Sequence, residues 1–251
     1  MIATPVLTDA QIDAFRRDGY VVTPGAFSAD DAATIQRWMR EVEALPEEPG
    51  RHWVFHEKSR IDGRDLINRI EYIAPFHAGF AKLTGVLKAP TTQLFGEDTV
   101  LFKEKINFKM PGGGGFEPHQ DSQAGWEDYA GNFVNVMVCI DAATVENGCI
   151  ELAAGQNRRG LLRGMEPLTD DDIRDMKFIA YPTEPGDVAY FDAYTPHRSA
   201  PNPTNDPRRL YFATYNRASD GDQLEKYYAD KRRNFPPDIE RDPDREYVYK
   251  V

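Results

Sequence analysis

Three side chains in this chain have the types and spacing of a metal centre: His119, Asp121 and His197. The first two end a glycine-rich bend, Pro111-Gly112-Gly113-Gly114-Gly115-Phe116-Glu117-Pro118-His119-Gln120-Asp121. On an extended strand the period of two puts His119 and Asp121 on one face and Gln120 on the other. Of the five histidines, His197 is the best third member because it closes a strand-like run beginning at Phe191 and precedes a turn. His52, His56 and His77 fall in helical or loop-like sequence ahead of the strands. Two imidazoles and one carboxylate on one side of a metal leave the opposite positions open, as in non-haem Fe(II) oxygenases. A His-x-Asp pair alone is common in surface loops, so its surroundings must carry the assignment. The same ligand types also suit a structural zinc.

Downstream of His197 come Ser199, Asn202 and then Arg208, which opens the alternating strand Arg208-Arg209-Leu210-Tyr211-Phe212-Ala213-Thr214-Tyr215-Asn216. This order of parts, from Gly19-Tyr20-Val21-Val22 to Tyr215-Asn216, resembles the phytanoyl-CoA dioxygenase family of Fe(II)/2-oxoglutarate oxygenases. The resemblance implies iron on His119, Asp121 and His197, with 2-oxoglutarate and O2 in the remaining positions. Arg208 would pair with the far carboxylate of 2-oxoglutarate, Ser199 would add a hydroxyl, and Asn107 or Lys105 would meet its other oxygens. The implied reaction is decarboxylation to succinate coupled to substrate hydroxylation. Related halogenases lack the carboxylate ligand, so Asp121 favours hydroxylation. Arg209 is expected on the opposite face of its strand, at the surface. The chain departs from the family at Ala154-Gly155-Gln156-Asn157, where Pro-Gly-Ser-His is often found; the change bears on substrate rather than on iron.

Gln123, Trp126 and Tyr129 follow the metal pair, where the family tends to place substrate contacts. The strand Val100 to Met110 carries Lys103, Lys105, Asn107 and Lys109 on one face and Phe102, Ile106 and Phe108, with Glu104, on the other. A lysine row beside the site, in an otherwise acidic protein, suits a small anionic or zwitterionic substrate, with Lys103 the contact beyond those 2-oxoglutarate needs. The Lys105-Ile106-Asn107 and His119-Gln120-Asp121 context also resembles bacterial relatives that hydroxylate compounds such as aminoalkylphosphonates. A non-catalytic cupin-like protein binding a ligand or a metal is the alternative. Arg208 in register with a complete triad separates the two, because a structural metal needs no carboxylate clamp.

These residues must be positioned by a chain of 251 residues with a net charge of −11. Its acidity argues against nucleic acid and anionic membranes as partners and for small molecules. No apolar run reaches the roughly 18 residues of a membrane span, and the N-terminus lacks a signal-peptide pattern, so a cytoplasmic enzyme is expected. Monomer and homo-oligomer are equally compatible with the sequence. Cys139 and Cys149 flank Glu146-Asn147-Gly148 and are expected to be reduced.

Thr8 and Ser28 cap two amphipathic helices, the first stopped by Gly19 before the strand Tyr20-Val21-Val22. Residues 51–63 show no clear period, and 65–95 read as two or three helices broken near Pro75 and Pro90. Strands follow at 100–110, 133–140, 149–152, 178–181, 188–191 and 210–215, and a short helix carries Tyr227 and Tyr228. One domain over residues 1–251 is expected, mainly β with α: a double-stranded β-helix of the jelly-roll or cupin type behind an N-terminal helical layer.

Overall fold

The structure is a computed structural model and describes residues 2–247. Helix α1 (Asp9–Asp18) starts at a Thr8 capping box with Gln11 and ends at Gly19, whose left-handed φ of 83° lets its N–H reach Phe15 O. The chain continues through β1 (Tyr20–Thr23), the Ser28-capped α2 (Ala29–Glu43), β2 (Trp53–Lys58), β3 (Asp65–Glu71), α3 (Ala78–Phe95) and β4 (Thr99–Lys109). After these come β5 (Phe116–His119), β6 (Phe133–Cys139), β7 (Ile150–Ala153), α4 (Asp170–Ile173), β8 (Phe178–Tyr181), β9 (Val188–Asp192), β10 (His197–Ser199), β11 (Arg208–Arg217) and α5 (Leu224–Asn234).

Two antiparallel sheets result, ordered β1-β9-β6-β11-β4-β3-β2 and β5-β10-β7-β8. The outer face of the large sheet buries Ile106, Phe108, Val136 and Tyr211 against Ile35 and Met39 of α2 and Phe80, Leu83 and Leu87 of α3. Its inner face sets Met137, Cys139, Phe191 and Leu210 against Ile150 and Leu152 of the small sheet. Both cysteines are buried free thiols in this second core. A third cluster, with Phe102, Trp126, Phe133, Tyr227 and Tyr228, joins α5 to the inner face. The jelly-roll core and helical layer thus follow the sequence expectation.

Three local expectations differ. Residues 51–71 contain the hairpin β2–β3 where no strand is evident from sequence, because Arg69 and Glu71 interrupt the apolar pattern yet are buried and paired with each other at 2.8 Å. Pro90 lies inside α3 rather than ending a helix. Its missing hydrogen bond costs about 3 kcal/mol, offset here by the buried row Leu83, Leu87, Pro90 and Leu94. On β4, a register shift opposite Thr214 and Tyr215 turns Phe102 toward Trp126 and Tyr227, away from the face of Ile106 and Phe108.

Candidate active site

The glycine-rich bend lets β5 approach β10 closely. A Cβ on Gly115 would stand 2.5 Å from Ser199 O, so no other residue fits there without moving the strand. The pairing that follows puts His119 directly opposite His197, with ring centroids 4.2 Å apart. Asp121 reaches them differently from the strand alternation expected: β5 ends at His119, and Asp121 begins a single 3-10 turn, Asp121–Ala124. Gln120 makes this bend rigid. Its buried amide donates to Gly160 O and Tyr194 O and accepts from the Leu162 N–H.

Ligand atoms of His119, Asp121 and His197 lie within 4.8 Å of one another. Each imidazole Nδ1 is hydrogen-bonded to a backbone carbonyl, His119 to Glu117 O at 2.7 Å and His197 to Thr195 O at 3.0 Å. A carbonyl only accepts, so Nδ1 holds the proton and Nε2 presents its lone pair to the centre. Both Nε2 atoms stand 3.9 Å from an Asp121 oxygen. Burial, together with neighbouring His197, pushes the His119 imidazole down to about 3, so it is a neutral donor. Burial alone would raise Asp121, but His197, His119, Lys105 and Lys103 hold it below its ordinary value. Asp121 is steered by Asn135, which donates to Oδ2 at 2.9 Å and accepts from the Thr214 hydroxyl at 2.7 Å. These three neutral or anionic donors, with their outward groups already bonded, suit a divalent ion.

The triad opens into a cavity of about 510 Å³. Cross-strand register puts Lys103, Lys105 and Asn107 of β4 beside Thr214, Phe212 and Leu210 of β11 on this inner face, with Arg208 at its end. Arg208 is 3% exposed, its Nε has no hydrogen-bond partner, and burial draws it down to about 10. Asn107 Oδ1 and Trp126 Nε1 are likewise buried without a partner. A guanidinium withdrawn from water with an unspent donor fits the carboxylate of a bound acid. Ser199 lies nearby and accepts from Lys109 Nζ at 2.7 Å. At the other end Lys103 Nζ sits 4.1 Å above the Trp126 ring, and Lys105 Nζ 5.6 Å from the Phe212 ring. Neither lysine makes a salt bridge among the described residues.

Gln123 does not reach the cavity. It is fully buried, accepts from Gln120 N–H at 2.7 Å and donates to Glu166 O, so it shapes the bend instead of touching substrate. Tyr129 lines the wall and donates to Asp230 at 2.9 Å. Arg209 faces away as expected but is not a free surface residue, being paired with Asp141 and Glu43. The loop at Ala154-Gly155-Gln156-Asn157 lies away from the cavity wall: Gly155 N–H donates to Asp18 O, and the Asn157 side chain packs on Gly19. Sequence reasoning missed Asn135 and Thr214, although polar residues inside apolar strands were a usable signal. It also missed Glu71 and Lys231, whose partners are far apart in sequence.

The pattern of the phytanoyl-CoA dioxygenase (PhyH) family matches residues 15–210. The chain belongs to that family. It is accordingly an iron- and 2-oxoglutarate-dependent dioxygenase, not a binding protein. A methylphosphonate hydroxylase of Gimesia maris is 39% identical over 91% of this chain and 88% of its own length. A 2-aminoethylphosphonate dioxygenase of an uncultured bacterium is 35% identical, covering 96% and 93%. Among solved structures, EctD from S. alaskensis with 2-oxoglutarate and 5-hydroxyectoine superposes with a TM-score of 0.75 at 25% identity, over 85% of this chain and 77% of that one. No helix among the described residues is long and apolar enough to cross a membrane.

Proposed function

We propose that this enzyme hydroxylates a small organophosphonate. His119 and His197 hold iron through Nε2 and Asp121 through its carboxylate, with Asn135 fixing the carboxylate's orientation. Bound iron, 2-oxoglutarate and O2 supply the oxidising chemistry, which places a hydroxyl on a substrate carbon and releases succinate and CO2. Arg208 takes the far carboxylate of 2-oxoglutarate as a bidentate partner, Ser199 adds its hydroxyl, and Asn107 bonds another oxygen. Trp126 and Phe212 provide apolar walls that exclude water from the reacting carbon.

The observation that carries the substrate class is the pair Lys103 and Lys105, two lysine amino groups on the cavity wall with no salt-bridge partner among the described residues. Burial and the neighbouring Lys105 and Lys231 push Lys103 well below its ordinary value, and an anion bound between the two amines would favour their charged forms. A phosphonate supplies up to two charges and three oxygens. The likeness to two phosphonate-oxidising enzymes along nearly the whole chain supports the same class. A screen of substrate-stimulated succinate release over phosphonates, small carboxylic acids, amino acids and acyl-CoA esters tests it. Stimulation by methylphosphonate or 2-aminoethylphosphonate is expected, whereas stimulation only by long acyl thioesters would refute the polar cavity.

A further inference from the structure

The family match stops at residue 210, yet the cavity wall does not. Tyr227 and Lys231, four residues apart on one side of α5, line it beside Lys103 and Lys105. Glu71 holds Lys231 in place: one carboxylate oxygen takes the Lys231 ammonium, and the other pairs with Arg69 Nε at 2.8 Å. Glu71 also stands directly across β3–β4 from Lys105, on the inner face. The Glu71 and Lys231 side chains are only 2% and 11% exposed. Ion groups withdrawn this far from water carry a large desolvation penalty before their attraction is counted, and apolar packing is often no less stable. An ammonium has three N–H donors, and Glu71 uses only part of that capacity.

We propose that Lys231, positioned by Glu71, is the third cation of the substrate subsite, so that α5 and β4 together grip a tetrahedral phosphonate. This rests on the organophosphonate reading above. Lys103 and Lys105 approach from the sheet and Lys231 from the helix, giving one donor for each of three oxygens. A planar carboxylate brings only two oxygens and one charge to the same three donors, and so matches their arrangement less well. Specificity for the headgroup therefore resides partly in the segment beyond the family match.

The test titrates methylphosphonate calorimetrically into the protein loaded with Fe(II) and 2-oxoglutarate without oxygen, and then measures turnover in air. Lys231→Gln should weaken methylphosphonate roughly ten-fold or more, as for the loss of a charge-assisted hydrogen bond, while 2-oxoglutarate affinity stays constant. Lys231→Arg should restore part of the loss. Glu71→Gln should raise KM for methylphosphonate more than it changes kcat, a split that a merely structural role would not give. Lys231→Met, which keeps the apolar stem, carries the same reading if Lys231→Gln folds poorly. Unchanged methylphosphonate affinity in the folded Lys231 variants would overturn the subsite and leave the hydroxylase reading intact. Tight binding by the unaltered enzyme without hydroxylation, with the Lys231 loss still present, would remove that reading and support the subsite. No binding by the unaltered enzyme would overturn both.

Discussion

The two ends of the cavity are both cationic, but they are built in opposite ways. At one end the Arg208 guanidinium opens a central strand; Lys109 beside it is buried and tied to Gly148 O, Ser199 Oγ and Ala200 O. At the other end Lys103 and Lys105 rest against aromatic rings, and Lys231 arrives from α5, held by Glu71. The rigid end suits a cosubstrate common to every turnover; the composite end can be altered for a new substrate without disturbing the first. The triad His119, Asp121 and His197 lines the same cavity.

The largest expected effect comes from removing that triad. His119→Ala, Asp121→Ala and His197→Ala should each lower succinate formation roughly a hundred-fold or more, since even outer-sphere changes at metal sites cost 10–100-fold. Circular dichroism should stay native, because these side chains lie in an open site. Retained turnover in two of the three would break the assignment. Next, Arg208→Lys should raise KM for 2-oxoglutarate roughly ten-fold through loss of the planar fork, with KM for the phosphonate unchanged. Lys103→Gln should do the reverse by a similar factor. Crossed effects, each variant acting on both ligands equally, would dissolve the distinction between the ends. Asn135→Ala should lower iron affinity by roughly ten-fold by freeing Asp121, measurable by metal titration under argon. The smallest effect on either ligand belongs to Arg209→Lys, whose partners Asp141 and Glu43 lie outside the cavity: neither KM should move, although loss of the two-pronged pair with Asp141 should lower stability by about 1–3 kcal/mol.

The same contrast explains what the sequence could reveal. Metal ligands are few in type, and the order His119, Asp121, His197, Arg208 names side chains that the fold does bring to one cavity. The strands of the large sheet that alternate cleanly were legible for the same reason: one face packs on helices and the other on the small sheet. The composite end was not. Arg69 and Glu71 look like solvent-facing helix residues until Lys231, 160 positions away from Glu71, is brought beside them. Gln123 shows the converse error. Nearness in sequence to the metal pair suggested a substrate contact, but the tight turn after His119 directs its amide into backbone groups. Asn135 is hidden by an apolar strand, and only folding shows that it holds Asp121.

Phosphorus NMR on methylphosphonate incubated with the enzyme, Fe(II), 2-oxoglutarate and air tests the central claim most directly. The account predicts a new phosphorus resonance from a hydroxylated phosphonate, growing in step with succinate and absent in Asp121→Ala. Succinate release that methylphosphonate and 2-aminoethylphosphonate leave unaltered, with no new phosphorus signal, would contradict it.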